Sequence, residues 1–173
     1  MTHKILAICL DCGDTLIDEG TEKKTDGDVS LRADLIPGAD KVMKRLKELN
    51  YPLALVADGP VATFTNNLEP YGLYDLFDVY AISELVGVIK PDRKIFDHAL
   101  HQLDISEQDY EKVVMVGNNL SRDIKGANQL GIISVWLDWA PRRSKTPADN
   151  SEKPDYIIKT PLELLDVLKK IEG

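Results

Sequence analysis

A chain of 173 residues fits one domain with room for a substantial core, and its composition is that of an ordinary globular protein. Twenty-nine Asp and Glu against 21 Lys and Arg leave a net charge of −8, which argues against bulk attraction to nucleic acid or to an anionic membrane. No apolar run is long enough to span a bilayer, and Met1 to Lys4 lead into the first strand without the apolar segment of a signal peptide, so a cytoplasmic location is expected.

The first element is the strand Ile5 to Leu10, apolar on both faces, which runs into Asp11 and a Gly-containing turn. Cys9 and Cys12 have C-x-x-C spacing, but along an extended chain their Cα atoms lie roughly 10 Å apart, beyond the ~7 Å reach of a disulfide. They are expected to be reduced. Asp18 to Asp28 is too polar to form a core element and reads as an exposed flap near the site, within a flap segment of about 17–35. Pro37-Gly38 opens a helix over about Ala39 to Leu49, with Val42, Met43, Leu46 and Leu49 on one face and Asn50 as its stop.

Leu53 to Ala57 is a second buried strand, closed by Asp58-Gly59-Pro60, and Pro60 starts a helix from Val61 to Leu68. A short strand follows over Val79 to Ile82. Asp92 caps a helix from Arg93 to Leu103, and Val113 to Gly117 is the next buried strand, ending in the polar cluster Asn118 to Asp123. After a helix stopped by Gly131 come a strand Ile132 to Trp136, a loop Asp138 to Pro154, and a short strand Tyr156 to Ile158. Thr160-Pro161-Leu162-Glu163 has the pattern of a capping box before the terminal helix.

Strands alternating with helices at this spacing imply right-handed crossovers and an α/β fold: a doubly wound, Rossmann-like parallel sheet with helices on both faces, in a single domain over 1–173. All strand carboxyl ends then face one way, so Asp11, Asp58, Lys90, Asn118 and Asp123 gather at one edge of the sheet. Carboxylates, further oxygen ligands and one lysine suit a hard cation such as Mg²⁺. Asp11 is then a candidate nucleophile, with the metal and Lys90 balancing charge. For any single acid the competing reading is a helix cap or turn former. His98 and His101, without a nearby third ligand, read as a solvated helix face; Arg142 and Arg143 read as a solvated loop, with contact to an anionic substrate from the rim as the alternative.

The order Leu10-Asp11-Cys12-Gly13-Asp14-Thr15-Leu16, then Ala57-Asp58-Gly59, then Lys90-Pro91-Asp92, then Gly117-Asn118-Asn119-Leu120-Ser121-Arg122-Asp123-Ile124-Lys125-Gly126-Ala127 resembles the four motifs of the haloacid dehalogenase superfamily. The resemblance implies that Asp11 is the nucleophile and a metal ligand, that Gly13 offers its carbonyl to the metal, and that Thr15 shapes the turn. It also implies that Lys90 binds the transferring group and that Asp123 supports the metal. Phosphatases of this family carry an acid two residues after the nucleophile, where this chain has Gly13. Asp14 is the nearest substitute acid; alternatively, its displaced side chain bonds the turn or flap. Ala57 stands where the family has Thr or Ser, and Asp58 and Gly59 beside it belong to the substrate-binding motif, although Asp58 would repel phosphate unless protonated or metal-bound. Asn118 replaces an acid and weakens Mg²⁺ binding.

About forty-five residues separate Asp11 from Ala57 and about thirty separate Asp58 from Lys90, so neither gap holds the cap domain of many relatives. An uncapped site needs the flap, a second subunit or a large substrate to exclude water, which makes a homo-oligomer or a macromolecular substrate an expected partner beside a phosphorylated small molecule. The leading reading is a Mg²⁺-dependent phosphatase acting through an aspartyl-phosphate on Asp11. The alternatives are a degenerate member kept as a binding or regulatory module, and hydrolysis of a carbon–halogen or carbon–phosphorus bond.

Overall fold

A computed structural model describes residues 2–173; the reading that falls on Met1 lies outside them. In chain order the elements are β1 (Ala7–Leu10), β2 (Ile17–Lys24), β3 (Ser30–Leu35), α1 (Ala39–Glu48), β4 (Leu53–Ala57), α2 (Val61–Leu68), β5 (Val79–Ile82), α3 (Ser83–Val86), α4 (Arg93–Gln102), β6 (Val113–Gly117), α5 (Lys125–Gln129), β7 (Ile133–Leu137), β8 (Tyr156–Ile158) and α6 (Leu164–Glu172). Six strands form one sheet in the order β5-β4-β1-β6-β7-β8, and every neighbouring pair is parallel. This is the expected doubly wound architecture.

The strand pattern explains the two-sided core. Ile8, Leu10, Leu53, Leu55, Val114 and Val116 point to the side covered by α1, α2 and α6, while Ala7, Cys9, Ala54, Val56, Val113 and Met115 point to α4 and α5. Alternate residues of each strand thus feed opposite layers, and both must be apolar. Cys9 and Cys12 are free and fully buried; burial pushes the Cys9 thiol up to about 12.

From β1 the chain lays β4 and β5 to one side, then returns to lay β6, β7 and β8 on the other. The strand order therefore reverses at the β1/β6 boundary, and the crevice between diverging connections opens at the carboxyl ends of those two strands. Asp11 follows the first of them, and Asn118 follows the second.

One local expectation gains detail and one changes. The flap is a regular element: β2 and β3 pair as an antiparallel hairpin, docked on α2 by Ser30 Oγ donating to Asn67 Oδ1 and by Asn66 Nδ2 donating to Ser30 O. Its outward face is polar, as the composition required; its backbone pairs with itself, which polar side chains do not prevent. Thr160 makes no side-chain cap, because Glu163 instead accepts from the Lys159 amide at 2.8 Å.

Candidate active site

Asp11 extends the β1/β6 ladder by one bond, its amide donating to Val116 O at 3.0 Å, and then the chain turns sharply. The amides of Thr15, Leu16 and Ile17 all donate to the Cys12 carbonyl. Thr15 Oγ1 points back at Asp11 Oδ2 from 3.4 Å. Thr15 is buried and does not reach the cleft, so it positions Asp11 rather than touching a substrate.

Lys90 comes from the loop before α4, beyond a cis peptide to Pro91, and its side chain is only 2 % exposed. Its ammonium donates to Asp11 Oδ1 at 2.9 Å and to Val56 O at 2.7 Å, and lies 2.7 Å from Asp123 Oδ1. Burial opposes the charge on Lys90, but Asp11, Asp123 and Asp58 outweigh it and raise its pKa. Asp123 is also raised, by burial first and by Asp11 second. The two partners lean opposite ways for a physical reason: one ammonium serves two buried carboxylates, and one negative charge stays uncompensated. Asp123 fits under β6 only because residue 117 is glycine, since a Cβ there would stand 2.2 Å from Asp123 Oδ2.

The residues present fit a hard cation. The terminal amide atom of Asn118 that faces the cleft lies 3.0 Å from Asp11 Oδ2 and 3.1 Å from Gly13 O. With the amide oxygen inward, it stands from each of these two oxygens at the separation of about 3 Å that adjacent ligands have on an octahedral Mg²⁺ with bonds of about 2.1 Å. With the amide turned over, its NH₂ bonds both neighbours. Asp123 Oδ1 is buried without a well-directed hydrogen bond, and it supplies the extra negative charge. Among the described residues no group of three His, Cys, Asp or Glu side chains holds a metal unaided, so the donor set depends on the Gly13 carbonyl and the Asn118 amide. His98 bonds Gln102 on the outer face of α4.

Asp11, Gly13, Asp58, Gly59, Lys90, Asn118 and Asp123 line one cleft of about 240 Å³. Asp14 does not join them. It sits at φ 52, fully buried, accepting from the Glu19 amide at 3.0 Å and from Arg142 Nε at 2.8 Å. Of the two readings of Asp14, the geometry gives the bond to the flap, and the substitute-acid reading is corrected. Arg142 is not a solvated loop residue: it grips Asp14 through two nitrogens and also binds Asp18. A fully buried carboxylate needs such a partner, and 128 residues of separation hid it.

Asp58 is held by partners that the sequence did not indicate. It accepts from the Lys90 amide at 3.0 Å and pairs with Arg122 at 3.3 Å, while the Gly59 amide is taken by Ser83 Oγ at 2.8 Å. Both residues shape the wall of the cleft. Sequence reasoning missed Glu19 and Arg122, which also line it, as does Arg143, weighed from the sequence as a rim residue. Burial, followed by Asp14, raises the Glu19 carboxyl.

A sequence model of the haloacid dehalogenase-like hydrolases matches residues 5–131. The chain is 33% identical over 138 residues to the glyceraldehyde 3-phosphate phosphatase of Methanopyrus kandleri, covering 80% of this chain and 56% of that protein. It is 35% identical over 125 residues to the pyrimidine 5'-nucleotidase YjjG of Escherichia coli, covering 72% and 50%. The chain thus spans about half the length of these relatives. The crystal structure of a HAD phosphatase from Thermococcus onnurineus superposes with a TM-score of 0.75 at 22% identity, over 95% of this chain and 98% of that one. With the family model spanning most of the chain and the nucleophile, lysine and acid of its motifs gathered in one cleft, the chain belongs to the haloacid dehalogenase-like hydrolases.

Proposed function

We propose that the chain hydrolyses a phosphomonoester, with Asp11 as nucleophile and Mg²⁺ held by Asp11, the Gly13 carbonyl and Asn118, supported by Asp123. The observation that carries this reading is the division of the Asp11 carboxylate. One oxygen rests on the Lys90 ammonium, and the other lies 3.0 Å from the terminal amide atom of Asn118, which is itself 3.1 Å from the Gly13 carbonyl oxygen. Two positive charges flanking one carboxylate stabilise the extra negative charge that a phosphoryl group brings. Bound Mg²⁺ supplies that electrostatic stabilisation and orients the phosphoryl oxygens.

An Asp11 oxygen attacks phosphorus, the bond to the ester oxygen breaks, and the departing alcohol takes a proton. Water then attacks the aspartyl-phosphate, gives up a proton, and releases phosphate with Asp11 restored. Lys90 holds Asp11 in line throughout, and Thr15 fixes its turn. Arg122 and Arg143 sit on the rim, where they meet phosphate or substrate oxygens. The cleft suits a phosphate with a small organic group; relatives are named for glyceraldehyde 3-phosphate and pyrimidine nucleotides.

A module that binds without turnover is the second reading. It is favoured by Ala57, which has no hydroxyl to offer, and by the Gly59 amide being spent on Ser83. Turnover of p-nitrophenyl phosphate with Mg²⁺ decides between them. The wild type is expected to be active and Asp11→Asn to lose at least about a thousand-fold in kcat. Equal rates for the two chains across a panel of phosphate esters would sink the phosphatase reading.

A further inference from the structure

An ester oxygen that leaves as alkoxide or phenoxide needs a proton, and the water that follows must lose one. Asp14 is enclosed by Arg142 and the hairpin, and Gly13 has no side chain. The remaining carboxylates of the cleft are nearly all engaged. Asp11 and Asp123 share Lys90, Asp58 is bound by Arg122 and the Lys90 amide, and Glu22 and Asp28 flank Lys24.

Glu19 is the exception. It enters from β2, and its Oε1 lies 2.0 Å from where a Cβ on Gly13 would stand, with its Cδ at 2.9 Å. The carboxylate therefore fills the space that a side chain at position 13 would occupy, directly beside the turn that carries Asp11. Its cationic neighbour, Arg143 Nη2, is 3.7 Å from Oε2, beyond hydrogen-bond reach. The side chain is 29% exposed, so it meets the cleft and water together. Its backbone is held in place, because the Glu19 amide donates to Asp14 Oδ1 and Asp14 is itself clamped by Arg142.

We infer that Glu19 is the proton-transferring catalytic residue of this site, delivered by the flap hairpin into the space left by Gly13. In the first step Glu19 gives its proton to the ester oxygen as the bond to phosphorus breaks. In the second, the ionised Glu19 takes a proton from the water that attacks the aspartyl-phosphate, and the acid is regenerated. This assignment rests on the phosphatase reading. It also gives the glycine a role: a side chain at position 13 would displace the Glu19 carboxylate from this place.

The test compares kcat/KM of the full chain with Mg²⁺ on p-nitrophenyl phosphate and on phenyl phosphate, since kcat/KM covers the steps up to departure of the leaving group. Glu19→Gln keeps shape and removes the proton. It is expected to cost about a hundred-fold or more on phenyl phosphate, whose leaving group needs the proton, and markedly less on the nitrophenyl ester. Glu19→Ala is expected to fall similarly and to regain at least about ten-fold when combined with Gly13→Asp, which places a carboxylate in the vacated space. A Glu19→Gln chain with unchanged rates, or with equal losses on both esters, overturns the inference while leaving the phosphatase reading intact. So does a Glu19→Ala chain that gains nothing from Gly13→Asp. An inactive wild type overturns both.

Discussion

Lys90 shows how strongly one residue can be tied to a site. Its ammonium donates to Asp11 and to the Val56 carbonyl and pairs with Asp123, so three oxygens surround it. Removing it leaves two carboxylates facing each other at a strand end, one of them fully buried, with no cation between them. With divalent metal chelated, Lys90→Met is therefore expected to cost about 3–5 kcal/mol in urea unfolding. Adding Asp123→Asn should return a large part of that loss, because the uncompensated charge is then gone. A Lys90→Met chain as stable as the wild type would mean that the ion pairs contribute no net stability. Lys90 was legible from its place in the Lys-Pro-Asp stretch, as were Asp11, Asn118 and Asp123 from their places after apolar strands. Glu19 was not: nothing in a run of Glu, Lys, Thr and Asp says which carboxylate turns inward, and that depends on the hairpin's register.

At the scale of elements, the strands that line the core were readable because burial on both faces forces continuous apolar runs. The β2–β3 hairpin was not, because its side chains are polar on the exposed face and its pairing is a backbone matter. What fixes it over the cleft is also invisible locally. Arg142, from the loop after β7, joins Asp14 in the turn after β1 to Asp18 in β2, reaching both across more than a hundred residues of sequence. Its planar fork binds two oxygens of Asp14 at once, which a lysine does not reproduce. Arg142→Ala leaves Asp14 buried without its partner and frees the root of the hairpin. The expected result is faster amide hydrogen exchange across residues 17–24, with α4 amides unchanged, and a loss of kcat/KM of roughly ten-fold, smaller than that of Glu19→Gln. Arg142→Lys should fall between. If hairpin exchange in Arg142→Ala matches the wild type, the guanidinium is not what holds the flap.

Across the whole molecule, the topology followed from alternation of strand and helix, and the reversal of strand order at β1/β6 explains why residues as far apart as Asp11 and Asn118 share a cleft. Among the described residues, no helix is long and apolar enough to cross a membrane. One long-range contact lay beyond sequence reading: Glu172 at the end of α6 accepts from the Lys4 amide at 2.7 Å, the Ile5 amide at 3.3 Å and the Tyr51 hydroxyl at 3.0 Å, fastening the lead-in to β1. Burial raises the Glu172 carboxyl, but these hydrogen bonds, with His3 nearby, outweigh it and leave the pKa below its ordinary 4.5. A depressed carboxylate stabilises the fold fully above its unfolded value and loses that contribution as pH falls through the folded one. Asp97, held by Arg93 and Tyr110 against its burial, and Asp138, held by Lys145 and Lys159, act in the same direction. Stability should thus fall on the acid side below the ordinary carboxylate values, each of the three groups contributing as it takes up its proton. Glu172→Gln keeps one acceptor but loses the charge, so it is expected to cost about 1–2 kcal/mol at pH 7 and progressively less as the pH falls through the folded value and the wild-type carboxylate takes up its proton. Urea unfolding of both chains from pH 7 to pH 3 measures the difference. A gap that stays constant over that range would show that Glu172 acts through packing rather than through its charge.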